Sequence, residues 1–172
     1  MVRPPRADLV ELERLKDWAD ARARPDAKVC GLGSSYTFSG QLIGELWQLH
    51  PERRTLAPAP KTDVMMSDVD TVEGPPAASL KGCAFLVVGD PVQTHLNPDY
   101  QQTVIVPSRE MLEGRGIGAK FRRTTEVFRL EKGVSAVVFE RIAPLDDSDI
   151  EALQERWRAA RAALGFDEAK RK

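Results

Sequence analysis

Apolar residues recur every three or four positions near both ends of the chain, a spacing typical of amphipathic helices. They predict an N-terminal helix over about 8–24 and a C-terminal helix over about 148–164. A capping box, in which two side chains satisfy the first amides of a helix, is expected at each start. The residues that form these two patterns are Asp8 with Glu11 and Ser148 with Glu151.

Shorter apolar runs between these helices predict strands, and the run 84–88 is uniformly apolar, as in a parallel strand covered on both faces. The predicted elements are strands at 28–32, 63–66, 84–88 and 103–106, a helix from Ser39 to before Pro51, a short helix 108–113, and a hairpin of 121–130 and 134–142. We therefore expect a single α/β domain over 1–172, with its core at about 26–143. The expected class is a Rossmann-like three-layer domain. Its sheet is mixed and mainly parallel, with an antiparallel C-terminal hairpin and flanking terminal helices.

Composition narrows the class of protein. The 172 residues are 42% hydrophobic and 30% charged, which is ordinary for a globular domain. The net charge of −1 argues against a nucleic-acid partner, which usually requires a basic excess. The longest uncharged apolar run, Cys83–Gly89, is far shorter than the roughly 20 residues that cross a bilayer. Because the N-terminus also lacks a signal-peptide pattern, we expect a soluble chain without a transmembrane segment.

The two cysteines, Cys30 and Cys83, lie in or beside apolar strands. We expect both to be buried free thiols, because a core of this size needs no crosslink. A disulfide is the alternative if the two strands are neighbours. A metal site would require more ligands than these two residues offer, so no metal is expected.

A glycine-rich loop follows the first predicted strand, with Gly31, Gly33, Ser34 and Ser35 ahead of a helix. Glycines let a ligand approach the backbone, and amides at a helix start can hold an anion. The dinucleotide fingerprint is incomplete because Tyr36 occupies the place of its third glycine. The acidic residues available to bind ribose hydroxyls, Asp68 and Asp70, come late in the chain. A phosphate- or sugar-contacting loop and a tight structural turn both remain open, and no cofactor is expected.

A second polar loop follows the most apolar strand, and its candidate ligand-binding residues are Asp90, Gln93, His95 and Asn97. Asp90 and His95 could form an acid–base pair, whereas the alternative is that both serve the loop's own structure. Loops that follow parallel strands leave the sheet at the same edge. We therefore predict that the glycine-rich loop and this loop meet.

A local basic excess lies between Arg109 and Lys132, where seven basic residues face four acidic ones. It surrounds the turn Gly114–Gly118, whose amides could bind an anion. The candidate anion-binding residues are Arg115, Lys120, Arg122 and Arg123. A solvated face and a flexible connection are the alternatives. The sequence contains no phosphate-binding P-loop, zinc-ligand cluster or hydrolase nucleophile elbow.

Three stretches of the chain resemble a known family. They are Val29–Leu42, which contains Gly33-Ser34-Ser35; Asp90–Leu96, with Pro98 and Gln101 or Gln102; and Gly114–Phe121, with Phe128–Leu130 and Gly133–Val134. Together they are similar to the soluble C-terminal domain of bacterial polytopic membrane glycosyltransferases. Those enzymes resemble protein O-mannosyltransferases and use lipid-linked sugar donors. The resemblance covers about residues 8–143.

The resemblance implies a function for the chain as an accessory module. In that family the chemistry belongs to the membrane portion, so the chain would be a non-catalytic, extracytoplasmic accessory domain. It would position the acceptor or the sugar-lipid headgroup, and its partner would be the membrane portion of the enzyme. The resemblance supplies no residue roles, and catalytic residues stay unknown. Two alternatives remain: a free-standing cytoplasmic enzyme or binding protein for a nucleotide or S-adenosylmethionine, and a protein interaction module.

Overall fold

The computed structural model describes residues 6–22, 27–46, 61–63, 70 and 77–166. Its helices are α1 (Leu9–Arg22), α2 (Gly40–Leu46), α3 (Ala77–Gly82), α4 (Gln102–Glu113) and α5 (Asp147–Ala163). Its strands are β1 (Lys28–Leu32), β2 (Lys61–Asp63), β3 (Cys83–Asp90), β4 (Phe121–Arg129) and β5 (Ser135–Arg141). Short 3-10 turns lie at Pro98–Tyr100, Gly116–Lys120 and Glu131–Gly133. Parts of the predicted elements, among them 47–49 and 64–66, fall outside the described residues.

The five described strands form one mixed sheet in the order β2-β1-β3-β5-β4. β1 pairs in parallel with both β2 and β3, whereas β5 is antiparallel to both β3 and β4. The mixed α/β sheet and its C-terminal hairpin are confirmed. Parallel β1 and β3 both end at the same edge, which is where the two candidate loops begin.

Alternate residues of β3 point into two hydrophobic clusters, one on each face of the sheet. Phe85 and Val87 pack with residues of α1 and α2, among them Leu15 and Ile43. On the other face Leu86 and Val88 belong to a cluster that α3, α4 and α5 complete, through Leu80, Met111 and Leu153. The prediction that this uniformly apolar strand is buried on both faces is therefore confirmed.

The predicted strand at 103–106 is wrong, because Gln102–Glu113 form helix α4. The amides of Gln102 and Thr103 donate to the carboxylate of Asp70, at 3.1 and 2.7 Å, and this distant residue satisfies the start of the helix. Pro107 lies inside α4 and removes one helical hydrogen bond. Burial of Val104, Ile105 and Met111 offsets that loss, so tertiary packing outweighs the strand propensity of the segment.

Both predicted capping boxes are also corrected. The carboxylate of Asp8 binds Arg6 and accepts the amide of Glu131 at 2.9 Å, while Glu11 accepts the amide of Arg129 at 3.1 Å. These acidic residues therefore fasten α1 to the C-terminal hairpin. Helix α5 does have a capping box, but Asp146 and Asp149 form it, in place of Ser148 and Glu151.

The prediction of two free thiols is wrong, because Cys30 and Cys83 form a disulfide. β1 and β3 are neighbours, and the two Cα atoms lie 5.8 Å apart, which is within the usual range for a disulfide. The prediction that both residues are buried is confirmed, since neither side chain is exposed. Among the described helices, none is long and apolar enough to cross a bilayer.

Candidate functional site

The two candidate loops meet at the carboxyl edge of the sheet, as their parallel strands predict. The amide of Ser34 donates to the carbonyl of Gln93 at 3.0 Å, and the Ser35 hydroxyl donates to Gln93 Oε1 at 2.7 Å. The Gln93 side-chain amide also reaches back to the carbonyl of Pro91 at 2.6 Å. We call the surface that these loops form, residues 33–39 and 89–101, the loop edge.

Gln101 joins the two loops from beneath the surface. Its side chain is fully buried, and Nε2 donates to the Ser34 hydroxyl at 2.8 Å and lies 3.2 Å from Nδ1 of His95. Its Oε1 accepts the amides of His95 and Leu96, each at 3.0 Å. No local sequence pattern marks Gln101 for this role. The only indication was its place in the stretch that resembles glycosyltransferase domains.

The amides of the glycine-rich loop are occupied by the fold itself. Ser35 donates its amide to the carbonyl of Phe38 at 2.9 Å, and its hydroxyl accepts the amides of Thr37 and Phe38 at 3.1 and 3.0 Å. The amide of Gly40, at the start of α2, donates to the carbonyl of Gly33 at 3.1 Å. A phosphate at this loop would have to displace these bonds, so the structure favours the tight structural turn.

The two glycines are explained by packing. A Cβ on Gly31 would lie 2.9 Å from the Cα of Gly40, so Gly31 lets α2 approach β1 closely. A Cβ on Gly33 would lie 2.6 Å from the ring of Phe38, which is fully buried. Glycine therefore serves helix–strand contact and ring burial at these positions.

The remaining residues of the second loop have different positions. Asp90 is exposed at the end of β3 and is joined to Pro91 by a cis peptide bond. His95 is exposed beside Gln101. Asn97 accepts the amide of Asp99 at 3.1 Å and so caps the turn Pro98–Tyr100, which is a structural role. An acid–base pair of Asp90 and His95 stays a prediction.

Asp70 was a candidate for binding ribose hydroxyls, but its carboxylate has a structural role. Its buried carboxylate caps α4 and also accepts the indole N–H of Trp157 at 3.1 Å. Arg161 of α5 lies 3.8 Å from the same carboxylate. Asp70 therefore connects α4 with α5, while Asp68 lies outside the described residues.

The turn Gly114–Gly118 already holds an anion, which is the protein's own Glu110. The buried carboxylate of Glu110 accepts the amide of Ile117 at 2.9 Å and pairs with Arg156. A Cβ on Gly116, whose φ is 55°, would lie 2.1 Å from this carboxylate, so the position requires glycine. The amide of Ile117 is therefore already engaged within the fold, and binding of an external anion at this turn stays a prediction.

Three of the four candidate anion-binding cations have carboxylate partners. The pairs are Arg115 with Glu113, Lys120 with Asp149 at 3.0 Å and Arg122 with Glu140 at 2.6 Å. Arg123, like its neighbour Arg122, lines a groove between α1 and β4. Carboxylates of the chain itself therefore already pair with three of the four candidates.

The loop edge also presents exposed apolar side chains, which the sequence patterns did not predict. Tyr36 is 82% exposed, and Leu96 and Tyr100 are also exposed. Within the described part of the chain, no group of three or more His, Cys, Asp or Glu residues could hold a metal ion. Comparisons with protein families, curated proteins and solved structures found no match.

Proposed function

We propose that this chain is the non-catalytic accessory domain of a membrane glycosyltransferase, and that its loop edge contacts the acceptor or the lipid-linked sugar. Two of the three stretches that resemble such domains, Val29–Leu42 and Asp90–Leu96, supply this surface. Their polar side chains largely bond to one another, an arrangement that favours a scaffold over a reaction centre.

The observation that carries the proposal is the contrast between buried Gln101 and exposed Tyr36. Gln101 locks the two loops together, while Arg6 donates to the carbonyls of Tyr36 and Thr37 at 3.2 and 2.8 Å. Hydrogen bonds from Arg6 and from Gln101 therefore fix the backbone of the loop that carries Tyr36. Rigid presentation of an amphipathic ring lowers the entropy lost on binding, and such rings favour surfaces that are part wet and part apolar.

The disulfide between Cys30 and Cys83 supports an extracytoplasmic location for this domain. Disulfides persist in oxidising compartments and are rare in the reducing cytoplasm. An accessory domain on the outer side of the bilayer would lie in such a compartment, whereas a free-standing cytoplasmic enzyme would not. The crosslink therefore favours the accessory-domain proposal over its cytoplasmic alternative.

We also propose that the domain is Rossmann-like with three layers. The parallel order β2-β1-β3, with β1 between the other two, matches the start of that architecture. Helices contribute to hydrophobic clusters on both faces of β3, which supports a layer on each side.

Sedimentation with vesicles tests the proposed function. Phosphatidylcholine vesicles are prepared with and without a polyprenyl-phosphate-linked mannose, and the bound fraction of the chain is measured. We expect the mannolipid to increase binding and the double variant Tyr36→Ala/Leu96→Ala to abolish that increase. Val10→Ala, which removes another exposed apolar side chain, on α1, is the matched control and should bind as the unmodified chain does.

Two results would contradict the proposal. One is a chain that does not sediment with either type of vesicle. The other is sedimentation that the Tyr36/Leu96 variant leaves unchanged, because the loop edge would then have no part in it.

A further inference from the structure

A short segment ahead of helix α1 joins two parts of the fold that are distant in sequence. Its residues 6–8, which we call the N-terminal strap, lie between the glycine-rich loop and the turn of the C-terminal hairpin. The carboxylate of Asp8 accepts the amide of Glu131 at 2.9 Å, and the carboxylate of Glu131 accepts the amide of Ala7 at 2.8 Å. Reciprocal hydrogen bonds therefore fasten the strap to the hairpin turn.

Arg6 connects the strap to the glycine-rich loop. Its guanidinium binds both carboxylate oxygens of Asp8, each at 2.8 Å. The same group donates to the carbonyls of Tyr36 and Thr37, at 3.2 and 2.8 Å. A guanidinium carries several N–H donors in one plane, so one side chain can hold a carboxylate and two carbonyls together. Asp8 therefore orients Arg6 toward the loop while it also holds the hairpin amide.

Arg6 and Ser35 hold the same two peptide groups from opposite ends. The carbonyl of Tyr36 and the amide of Thr37 belong to one planar peptide group, and the carbonyl of Thr37 and the amide of Phe38 belong to the next. Arg6 binds the two carbonyls, whereas the hydroxyl of Ser35 accepts the two amides, at 3.1 and 3.0 Å. Loss of the guanidinium would leave each peptide group held at its amide alone.

The hairpin turn that anchors the strap has a strained backbone. Lys132 has a φ of 56°, in the left-handed region that favours glycine, and Gly133 follows it with a φ of 73°. A non-glycine residue keeps such a conformation only where the surrounding contacts determine it. The bonds between Glu131 and the strap are among those contacts. The turn can therefore relax when the strap leaves it, which gives the strap a released state as well as a docked one.

We propose that the N-terminal strap couples the hairpin turn to the glycine-rich loop. With the strap docked, Arg6 fixes the backbone at Tyr36, and the loop edge has one conformation. With the strap released, the two carbonyls and the hairpin amide return to solvent, and the backbone around Tyr36 samples several conformations. A change at the hairpin turn is thereby transmitted to the loop edge. The consequence for binding rests on the proposed function, whereas the coupling itself does not.

Hydrogen exchange and backbone amide relaxation, both measured by NMR on the full chain, test the coupling. Arg6→Lys keeps a positive charge beside Asp8 but lacks the planar fork that reaches both carbonyls. We expect exchange of the Thr37 and Phe38 amides to accelerate by roughly tenfold, as loss of a charge-assisted hydrogen bond does. The order parameter of the Tyr36 amide should fall from about 0.85, typical of rigid backbone, to about 0.6 or lower.

A second variant tests transmission from the hairpin turn. Glu131→Ala removes the acceptor of the Ala7 amide and leaves Arg6 unchanged, and it should accelerate exchange of the same loop amides by roughly threefold or more. Glu11→Gln is the matched control, because Glu11 also fastens α1 to the hairpin, through the amide of Arg129, but lies outside the strap. It should leave the loop amides unchanged. The amides of β3 report global unfolding, so the acceleration in the loop should exceed any in that strand.

Three results would overturn the inference. Arg6→Lys could leave the loop amides unchanged, or Glu131→Ala could do so. Alternatively, Glu11→Gln could accelerate them as much as Glu131→Ala does, which would indicate a general loosening of α1. The vesicle experiment is independent of these measurements. A chain that shows the coupling but binds no vesicle would support this inference and contradict the proposed function.

Discussion

The side-chain amide of Gln101 donates a 2.8 Å hydrogen bond to the hydroxyl of Ser34, which lies 67 residues away in the chain. Both side chains are buried, and the same glutamine accepts the amides of His95 and Leu96. Gln101 therefore joins the two loops that follow β1 and β3, in addition to the bonds that Gln93 makes with Ser34 and Ser35. The shape of the loop edge depends on it.

Replacing Gln101 with leucine should destabilise the fold. The substitution keeps most of the volume but leaves two backbone amides without their acceptor, and each such loss costs about 1–3 kcal/mol. We expect the free energy of unfolding, measured by urea denaturation, to fall by about 2–4 kcal/mol. Gln41→Leu is the control, since Gln41 is exposed and donates to Glu45 within its own helix, and it should change stability by less than about 0.5 kcal/mol. Equal effects of the two substitutions would show that Gln101 does not lock the loops.

The disulfide should be detectable by thiol titration and by its contribution to the free energy of unfolding. Thiol titration of the denatured, unreduced chain should find no free thiol, and two after reduction. The crosslink closes a loop with a sequence separation of 53, so Cys30→Ala/Cys83→Ala should lose about 4 kcal/mol on the chain-entropy account. Two free thiols in the unreduced chain would disprove the crosslink and remove its support for an extracytoplasmic location.

Periodicity and parallel-strand geometry account for the parts of the fold that were predictable. The uniformly apolar run within β3 predicts a strand that is buried on both faces, as the structure has it. Because β1 and β3 are parallel, the loops that follow them lie at the same edge of the sheet. The run 103–106 fits a strand equally well locally. Its helical state depends on Asp70, which caps it from more than thirty residues away. Local propensity does not contain that information.

The site was less predictable for the same reason. The glycines of the first loop look like a ligand-binding pattern, but their necessity comes from Gly40 and Phe38, which pack against them. The role of Gln101 depends on its burial between two loops, and the sequence alone does not show whether a glutamine is buried. Pairing of Cys30 with Cys83 required the register of two strands, and spacing along the chain does not supply it.

The carboxylate of Glu110 should contribute far more to stability than an exposed neighbour of the same type. Glu110→Gln removes the charge that pairs with Arg156 and weakens the bond from the Ile117 amide, in a site with no solvent exposure. We expect a loss of about 2–4 kcal/mol in denaturation experiments. Glu113→Gln breaks an exposed pair with Arg115 and should have a much smaller effect. A Glu110 effect as small as that of Glu113 would show that the turn does not depend on this carboxylate.

Stability should depend on pH through Asp8. Burial opposes the charged form of this carboxylate, but hydrogen bonds from Arg6 and from the amide of Glu131 outweigh it and lower the pKa below its ordinary value of 3.8. A carboxylate with a lowered folded-state pKa stabilises the fold above its unfolded-state pKa, and this contribution disappears as the pH falls through the folded-state pKa. The difference in unfolding free energy between the unmodified chain and Asp8→Asn should therefore be constant near neutral pH and should shrink below about pH 4. A difference that stays constant down to acid pH would contradict this assignment.

Calorimetry with NAD, ATP and S-adenosylmethionine tests the central claim most directly, which is that the loop edge is a binding scaffold and not a nucleotide site. The amides of Ser34 and Ser35 already donate to Gln93 and Phe38, so these ligands have few donors left to bind. We predict no affinity tighter than about 1 mM for any of the three, which corresponds to about 4 kcal/mol of binding free energy. A micromolar dissociation constant for one of them would contradict the accessory-domain account and favour a nucleotide-binding enzyme.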